Sequence, residues 1–153
     1  MIIEEKHCFF MHHAFKEAQK AFLKNEVPVG AVVVLDNKIV AKAHNNTKKS
    51  NLFFGHAEFL ALKKLNSKIK NYYFSKAILY TTLEPCVMCI GSLIQTRIRK
   101  LYFGADNFKS GFIKNSSFLS YIKTFHKISI QKSFFSKESE QLLKSFFINL
   151  RKK

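Results

Sequence analysis

The chain lacks several features that define large classes of proteins. It has no tryptophan, and its three cysteines among 153 residues are too few, and odd in number, for a disulfide framework. No apolar run approaches the ~18 residues that a membrane-spanning helix requires. Residues 1–6 carry neither the basic region nor the long apolar region of a secretory signal. We therefore expect a soluble cytoplasmic protein that makes no use of a membrane.

Acidic residues are scarce as well. Only 10 Asp and Glu stand against 26 Lys and Arg, which gives a net charge of +16 and an isoelectric point near 9.9. Such a charge attracts polyanions, nucleic acid first and anionic membranes second. Abundant Lys, Asn, Ile and Phe without Trp are also what codon bias in an AT-rich genome produces. The charge alone leaves both explanations open.

The length is typical of one domain, which we place over residues 1–153. Strands that alternate with helices favour an α/β sandwich built around one sheet. The hydrophobic spacing predicts helices over 4–24, 56–65, 86–96 and 137–151, with a helical turn within 118–126. Strands are expected over 27–35, 39–43, 77–81, 101–103 and 128–131. Residues 44–55 and 104–117 are predicted to be loops.

The first and last helices carry expectations for single residues. In the first, apolar side chains recur on one face, namely Cys8, Met11, Phe15, Ala18 and Phe22, and we expect Cys8 to be buried. In the last, Ser136 is the expected N-terminal cap. The apolar face of this helix is predicted to comprise Leu142, Leu143, Phe146, Phe147 and Leu150.

Two short motifs carry the chemistry. Cys86 and Cys89 lie three residues apart at a predicted helix start, so their side chains share a face, and the helix N-terminus favours their thiolates. A C-x-x-C pair alone fits either metal binding or redox chemistry. His56 begins another predicted helix and supplies a third donor. Three protein ligands with a place left for water are typical of catalytic zinc, whereas structural zinc takes four.

Glu58 completes this group. At two residues beyond His56, its carboxylate is placed near the metal, where it can take a proton from a zinc-activated water and deliver it to a substrate. Together, H-x-E followed by P-C-x-x-C is the signature of the zinc nucleobase deaminases.

Longer runs extend the match. Residues 27–31 read V-P-V-G-A, residues 82–89 read T-L-E-P-C-V-M-C, and Phe103-Gly104-Ala105 follows. In these runs the chain resembles the bacterial tRNA adenosine deaminases of the cytidine deaminase-like superfamily. The resemblance implies a three-layer α/β/α sandwich around a mixed five-stranded sheet, one Zn²⁺ per chain, and a homodimer that deaminates adenosine to inosine at the wobble position of tRNA.

The resemblance also implies roles for individual residues. His56, Cys86 and Cys89 are expected to hold the zinc and Glu58 to move protons. Val29 is expected to line the base pocket and Asn45 to hydrogen-bond the base. Phe146, Phe147 and Arg151 are expected to meet the anticodon stem-loop, although core packing is an alternative for the two phenylalanines.

The sequence also fits alternative functions, and it differs from the usual family sequence at several positions. The superfamily signature also fits small-molecule cytosine or guanine deaminases, and a non-catalytic RNA-binding zinc subunit is a further alternative. The family usually has Asp-Pro-Thr-Ala where residues 52–55 read Leu-Phe-Phe-Gly, and residues 109–115 also differ. Asn107 replaces an expected Asp at a substrate-binding position. We hypothesise that this change increases tolerance of DNA, against the alternative that Asn107 only supports a turn.

Overall fold

The structure is a computed structural model that describes residues 2–111 and 116–152. Its elements are, in chain order, α1 (Ile3–Leu23), β1 (Gly30–Leu35), β2 (Lys38–His44), α2 (Thr47–Ser50), α3 (Ala57–Ile69), β3 (Ile78–Leu83), α4 (Val87–Gln95), β4 (Lys100–Ala105), α5 (Ser116–Lys123), β5 (Ser129–Lys132) and α6 (Ser136–Arg151). None of the helices in the described residues is long and apolar enough to cross a membrane.

The five strands form one mixed sheet in the order β2-β1-β3-β4-β5. Strand β1 is antiparallel to both β2 and β3, whereas β3, β4 and β5 run parallel. The two parallel crossovers pass through α4 and α5, as parallel strands require. The predicted mixed five-stranded sheet is confirmed.

Alternate side chains of the strands point to two different cores. Val32 and Val34 of β1 pack with Tyr80 and Tyr102 against α1. Residues of the opposite parity, including Ala31, Val33, Leu79 and Leu101, pack against α3 and α4. The result is the predicted three-layer α/β/α sandwich.

The expected helix faces are only partly right. On α1, Met11 and Ala18 are fully buried, but Cys8 is only half-buried because the buried stripe is centred on Ala14. On α6, Phe146 is buried, whereas Phe147 and Leu150 are 42% and 45% exposed. Only one side of this helix contacts α1 and β4, and for this reason only the side chains on that side are buried.

Several element boundaries also differ from the prediction. Strand β1 begins at Gly30 rather than Val27, because the Val29 N–H bonds Val27 O in a tight turn and Pro28 has no N–H to offer a sheet. Ser136 is the first residue of α6 and not its cap; Phe135, with a φ of 65°, occupies the cap position. The expected loop 44–55 contains the short helix α2.

Candidate active site

Two helix N-termini converge at the C-terminal end of β3. His56 occupies the N-cap position of α3 and Cys86 that of α4, and Cys89 lies in the first turn of α4. His56 Nδ1 is 3.5 Å from Cys86 Sγ and 3.5 Å from Cys89 Sγ, and the three donor atoms all lie within 4.8 Å of one another. The three residues that the sequence suggested as ligands therefore form one cluster.

The spacing of these donors suits a tetrahedral metal ion. With Zn–S bonds of about 2.3 Å and a Zn–N bond of about 2.0–2.1 Å, tetrahedral angles separate nitrogen from sulfur by about 3.5–3.6 Å. The observed separations of 3.5 Å agree with this value. A set of one imidazole and two thiols is also a donor set that zinc prefers. The cluster is thus a group that can bind a metal.

Electrostatics prepare one of the three ligands, Cys86, for a cation. Hydrogen bonding to Cys89 and to His56 lowers the pKa of Cys86 to about 4, despite the opposing effect of burial. Cys86 is therefore a thiolate at neutral pH, the form that ligates metals. The hydrogen bond with Cys86 also raises the pKa of His56.

Glu58 lies beside the cluster in the first turn of α3. Its side chain is buried, and the Thr81 hydroxyl donates to Glu58 Oε1 over 3.2 Å. Burial raises the pKa of this carboxyl above its usual value, because desolvation disfavours the charged form. A carboxyl group in such a setting is suited to accept and release a proton.

A cavity of about 180 Å³ opens beside this group. It brings together six of the residues expected from the sequence, namely Val29, Asn45, His56, Glu58, Cys86 and Asn107. Asn45 is held by its backbone N–H, which bonds Val29 O over 2.9 Å, and its side-chain Nδ2 lies 3.5 Å from Thr47 Oγ1.

Asn107 uses its side chain within the chain itself. Its Nδ2 donates to Ser110 Oγ at 3.0 Å and to Glu84 O at 3.3 Å, and its Oδ1 accepts the Ser110 N–H at 3.0 Å. An aspartate could not donate to Glu84 O. These contacts give Asn107 the turn-supporting role of the alternative, and its recognition of the sugar stays a prediction. Of the departing stretch 109–115, residues 112–115 lie outside the described residues.

A second groove of about 550 Å³ adjoins the cavity and shares four lining residues with it, Val27, Leu83, Asn107 and Ser110. Phe147 and Arg151 line this groove, and Phe146 does not. Phe146 is 6% exposed, and the Lys48 ammonium lies 5.5 Å from its ring centroid. This burial agrees with the core-packing alternative for Phe146. Of the basic group at 151–153, residue 153 lies outside the described residues.

Two buried polar residues that support the site were not anticipated. Thr81 contacts Glu58, and the buried carboxylate of Glu26 accepts the N–H groups of Lys48 and Lys49 at the start of α2. Both contacts join residues more than 20 positions apart, so no local pattern reveals them. The available signal was strand parity, which places Thr81 on the same face of β3 as Leu79.

Comparison with known proteins agrees with this geometry. The profile of the MafB19-like deaminase family matches residues 5–151. The tRNA-specific adenosine deaminase of Rickettsia bellii is 38% identical over 144 residues, which cover 92% of this chain and 99% of the relative. The chain belongs to the tRNA-specific adenosine deaminase family.

Solved structures place this family member on a known fold. A structure from a study of A-to-I editing by tRNA:A34 deaminases at the wobble position of transfer RNA matches with a TM-score of 0.84 and 34% identity, over 89% of this chain and 99% of that one. The guanine deaminase of Bacillus subtilis matches with a TM-score of 0.63 and 33% identity, over 65% of this chain and 64% of its own.

Proposed function

We propose that this family member is a hydrolytic deaminase that converts adenosine to inosine at the wobble position of tRNA. The observation that carries the proposal is the cavity in which Glu58 lies beside the His56–Cys86–Cys89 cluster. The relative named above and the study of tRNA:A34 deaminases support adenosine in tRNA as the substrate. The family profile spans residues 5–151, which supports a single deaminase domain over 1–153.

The cluster holds one zinc ion per chain in this proposal. Zinc bound there would lower the pKa of a coordinated water toward neutrality and so supply a nucleophile. The Cys86 thiolate is ready as a ligand, whereas His56 Nδ1 and Cys89 Sγ join it after each loses its proton to the incoming metal.

Glu58 moves the protons. Its carboxylate takes one proton from the attacking water as the water oxygen bonds C6 of adenine, and passes that proton to N1. It then takes the remaining water proton and gives it to the departing amine as the C6–N6 bond breaks, so that ammonia leaves and inosine forms. Burial keeps bulk water from Glu58, and Asn45 and Val29 orient the flipped-out base.

The anticodon stem-loop lies along the second groove in this proposal. The groove is lined by exposed Phe147 and Phe108, which can stack on unpaired bases, and by Arg151 and Lys144, which can contact phosphates, although Lys144 is paired with Glu140 at 3.2 Å in the free protein. The groove shares a wall with the cavity, so a loop whose central base enters the cavity leaves its neighbours against α6. The net charge of +16 suits this polyanionic substrate.

We also propose a homodimer. Phe53 is 81% exposed and contacts Phe54, which in turn lies 5.2 Å from the Phe59 ring of α3. A shallow groove beside Phe59 is lined by Tyr72 and Phe74. Exposed aromatic rings such as Phe53 and Tyr72 are suited to an interface between subunits.

A guanine deaminase is the rival function, because that enzyme from Bacillus subtilis shares the fold and 33% identity over 65% of this chain. A non-catalytic subunit is disfavoured, since Glu58 is present and buried beside the cluster. The purified protein should therefore be incubated in parallel with a tRNA transcript bearing adenosine at the wobble position and with free guanine. Inosine in the tRNA supports the proposal, whereas ammonia from guanine alone contradicts it.

A further inference from the structure

We infer that Thr81 is a positioning residue for the deamination, and that its hydroxyl fixes the orientation in which the Glu58 carboxylate transfers protons. This inference rests on the function proposed above. Thr81 is fully buried, and its Oγ1 lies 3.2 Å from Glu58 Oε1, within the range of a hydrogen bond. Among the described residues, Thr81 supplies the one hydroxyl group that bonds this carboxylate, and the Cys89 thiol is a further hydrogen-bond partner.

The backbone around Thr81 makes it a rigid support. Strand β3 lies between β1 and β4, and Thr81 pairs with Ala31 on one side and with Phe103 on the other. A β-branched side chain on such a strand has few rotamers. Glu58, by contrast, projects from the first turn of α3 on a long side chain that loses considerable freedom when it is fixed. A hydrogen bond from the strand therefore orders the carboxylate before the substrate arrives.

The hydroxyl also suits both states of Glu58 during the reaction. Thr81 Oγ1 has a second acceptor, Leu83 O, at 3.3 Å. When Glu58 is a carboxylate, the hydroxyl donates to Oε1. When the carboxyl group carries the transferred proton on its other oxygen, Oε2, Oε1 is a carbonyl oxygen that still accepts from the hydroxyl, so the proton on Oε2 remains available to the substrate. No bond is lost in either state.

The next residue offers a matched control. Thr82 is also fully buried on β3, but strand alternation turns its side chain to the α1 face, where its Oγ1 accepts the Gly30 N–H at 3.1 Å. Removing the Thr82 hydroxyl therefore deletes a buried hydrogen bond of the same strand without touching Glu58.

The experiment compares Thr81→Val, Thr81→Ala, Thr81→Ser and Thr82→Val with the natural protein and with Glu58→Gln. For each we would measure kcat and KM on the wobble-adenosine tRNA transcript, bound metal and Tm. Thr81→Val and Thr81→Ala should lower kcat about tenfold, the change expected for one hydrogen bond to a charged group, with KM and metal content unchanged. Thr81→Ser should restore kcat to within about threefold, and Thr82→Val should lower Tm while kcat stays within about threefold.

Three results would overturn the inference. They are a kcat in Thr81→Val within twofold of the natural value, a Thr81→Ser variant as slow as Thr81→Val, or an equal loss of kcat in Thr82→Val. Failure of the proposed function is recognised separately, because the natural protein would then form no more inosine than Glu58→Gln.

Discussion

Glu58 is the residue on which the proposed chemistry depends most. Glu58→Gln preserves the shape of the side chain and an oxygen for Thr81, but an amide cannot take a proton from water. A general acid–base group typically contributes about 10²–10⁴-fold to a rate, and this one serves in both proton transfers. We expect kcat for inosine formation to fall by at least about 10³-fold. Metal analysis should still find one zinc per chain, and a variant with near-natural turnover would refute the role.

At the level of single residues, the part of the site that short sequence motifs encode could be predicted. His56, Glu58, Cys86 and Cys89 lie close together because two helix starts meet, and both starts are visible in the sequence. The roles of Thr81 and Glu26 were not predicted, because their hydrogen-bond partners are distant along the chain. Phe146 and Phe147 are adjacent and chemically identical, so only the packing of α6 decides which ring is buried.

The short helix α2 depends on a carboxylate from outside it. Glu26 is 1% exposed, and its two oxygens accept the N–H groups of Lys48 and Lys49 at 3.0 and 2.8 Å. Four residues cannot form a stable helix alone. This explains why residues 44–55 looked like a loop, whereas the longer helices and the strands followed from local hydrophobic spacing.

We expect Glu26→Gln to destabilise the protein and to raise KM. The amide group turns a donor toward one of the two N–H groups, and an unsatisfied buried donor costs about 1–3 kcal/mol. Loosening of α2 should also disturb Asn45, whose side chain lies 3.5 Å from Thr47 Oγ1. Thermal unfolding and tRNA kinetics would test this, with Glu4→Gln at the exposed start of α1 as the control. Equal Tm and KM in the two variants would contradict it.

Two glycines should respond to alanine in opposite directions. A Cβ at Gly30 would collide with the backbone of Ala14 and Ala18, so α1 would have to move off β1. Overpacking of this kind costs about 1–3 kcal/mol. At Gly91, within α4, a Cβ meets no atom within 4 Å. There alanine should add about 0.5–1 kcal/mol through helix propensity. Chemical denaturation of both variants measures the two free energies of unfolding, and a stabilised Gly30→Ala would refute the close contact of α1 with β1.

At the scale of the whole molecule, we can test which positively charged residues contact the RNA. If α6 contacts the anticodon stem-loop, Arg151→Ala should weaken tRNA binding. The slope of log Kd against log salt concentration should also decrease by about 0.7, the value for one single-stranded phosphate contact. Lys38→Ala removes the same charge at the exposed start of β2, which lies at the opposite end of the sheet. We expect this control to leave the slope unchanged. Equal salt dependences in the two variants would mean that codon bias, and not RNA binding, explains the basic composition.

The two helix starts that carry the ligands are 30 residues apart in the chain, with α3 and β3 between them. A metal ion bound by His56 and Cys86 would therefore act as a covalent cross-link does, by closing a long loop and reducing the entropy of the unfolded chain. By the loop-closure relation, a cross-link of this span is worth about 3–4 kcal/mol. Chelation should then lower Tm by about 10 °C at this chain length. The same treatment should leave Tm unchanged in Cys86→Ala. An unaltered Tm in metal-free natural protein would mean that the hydrogen-bonded ligands hold the two helix starts together without the ion.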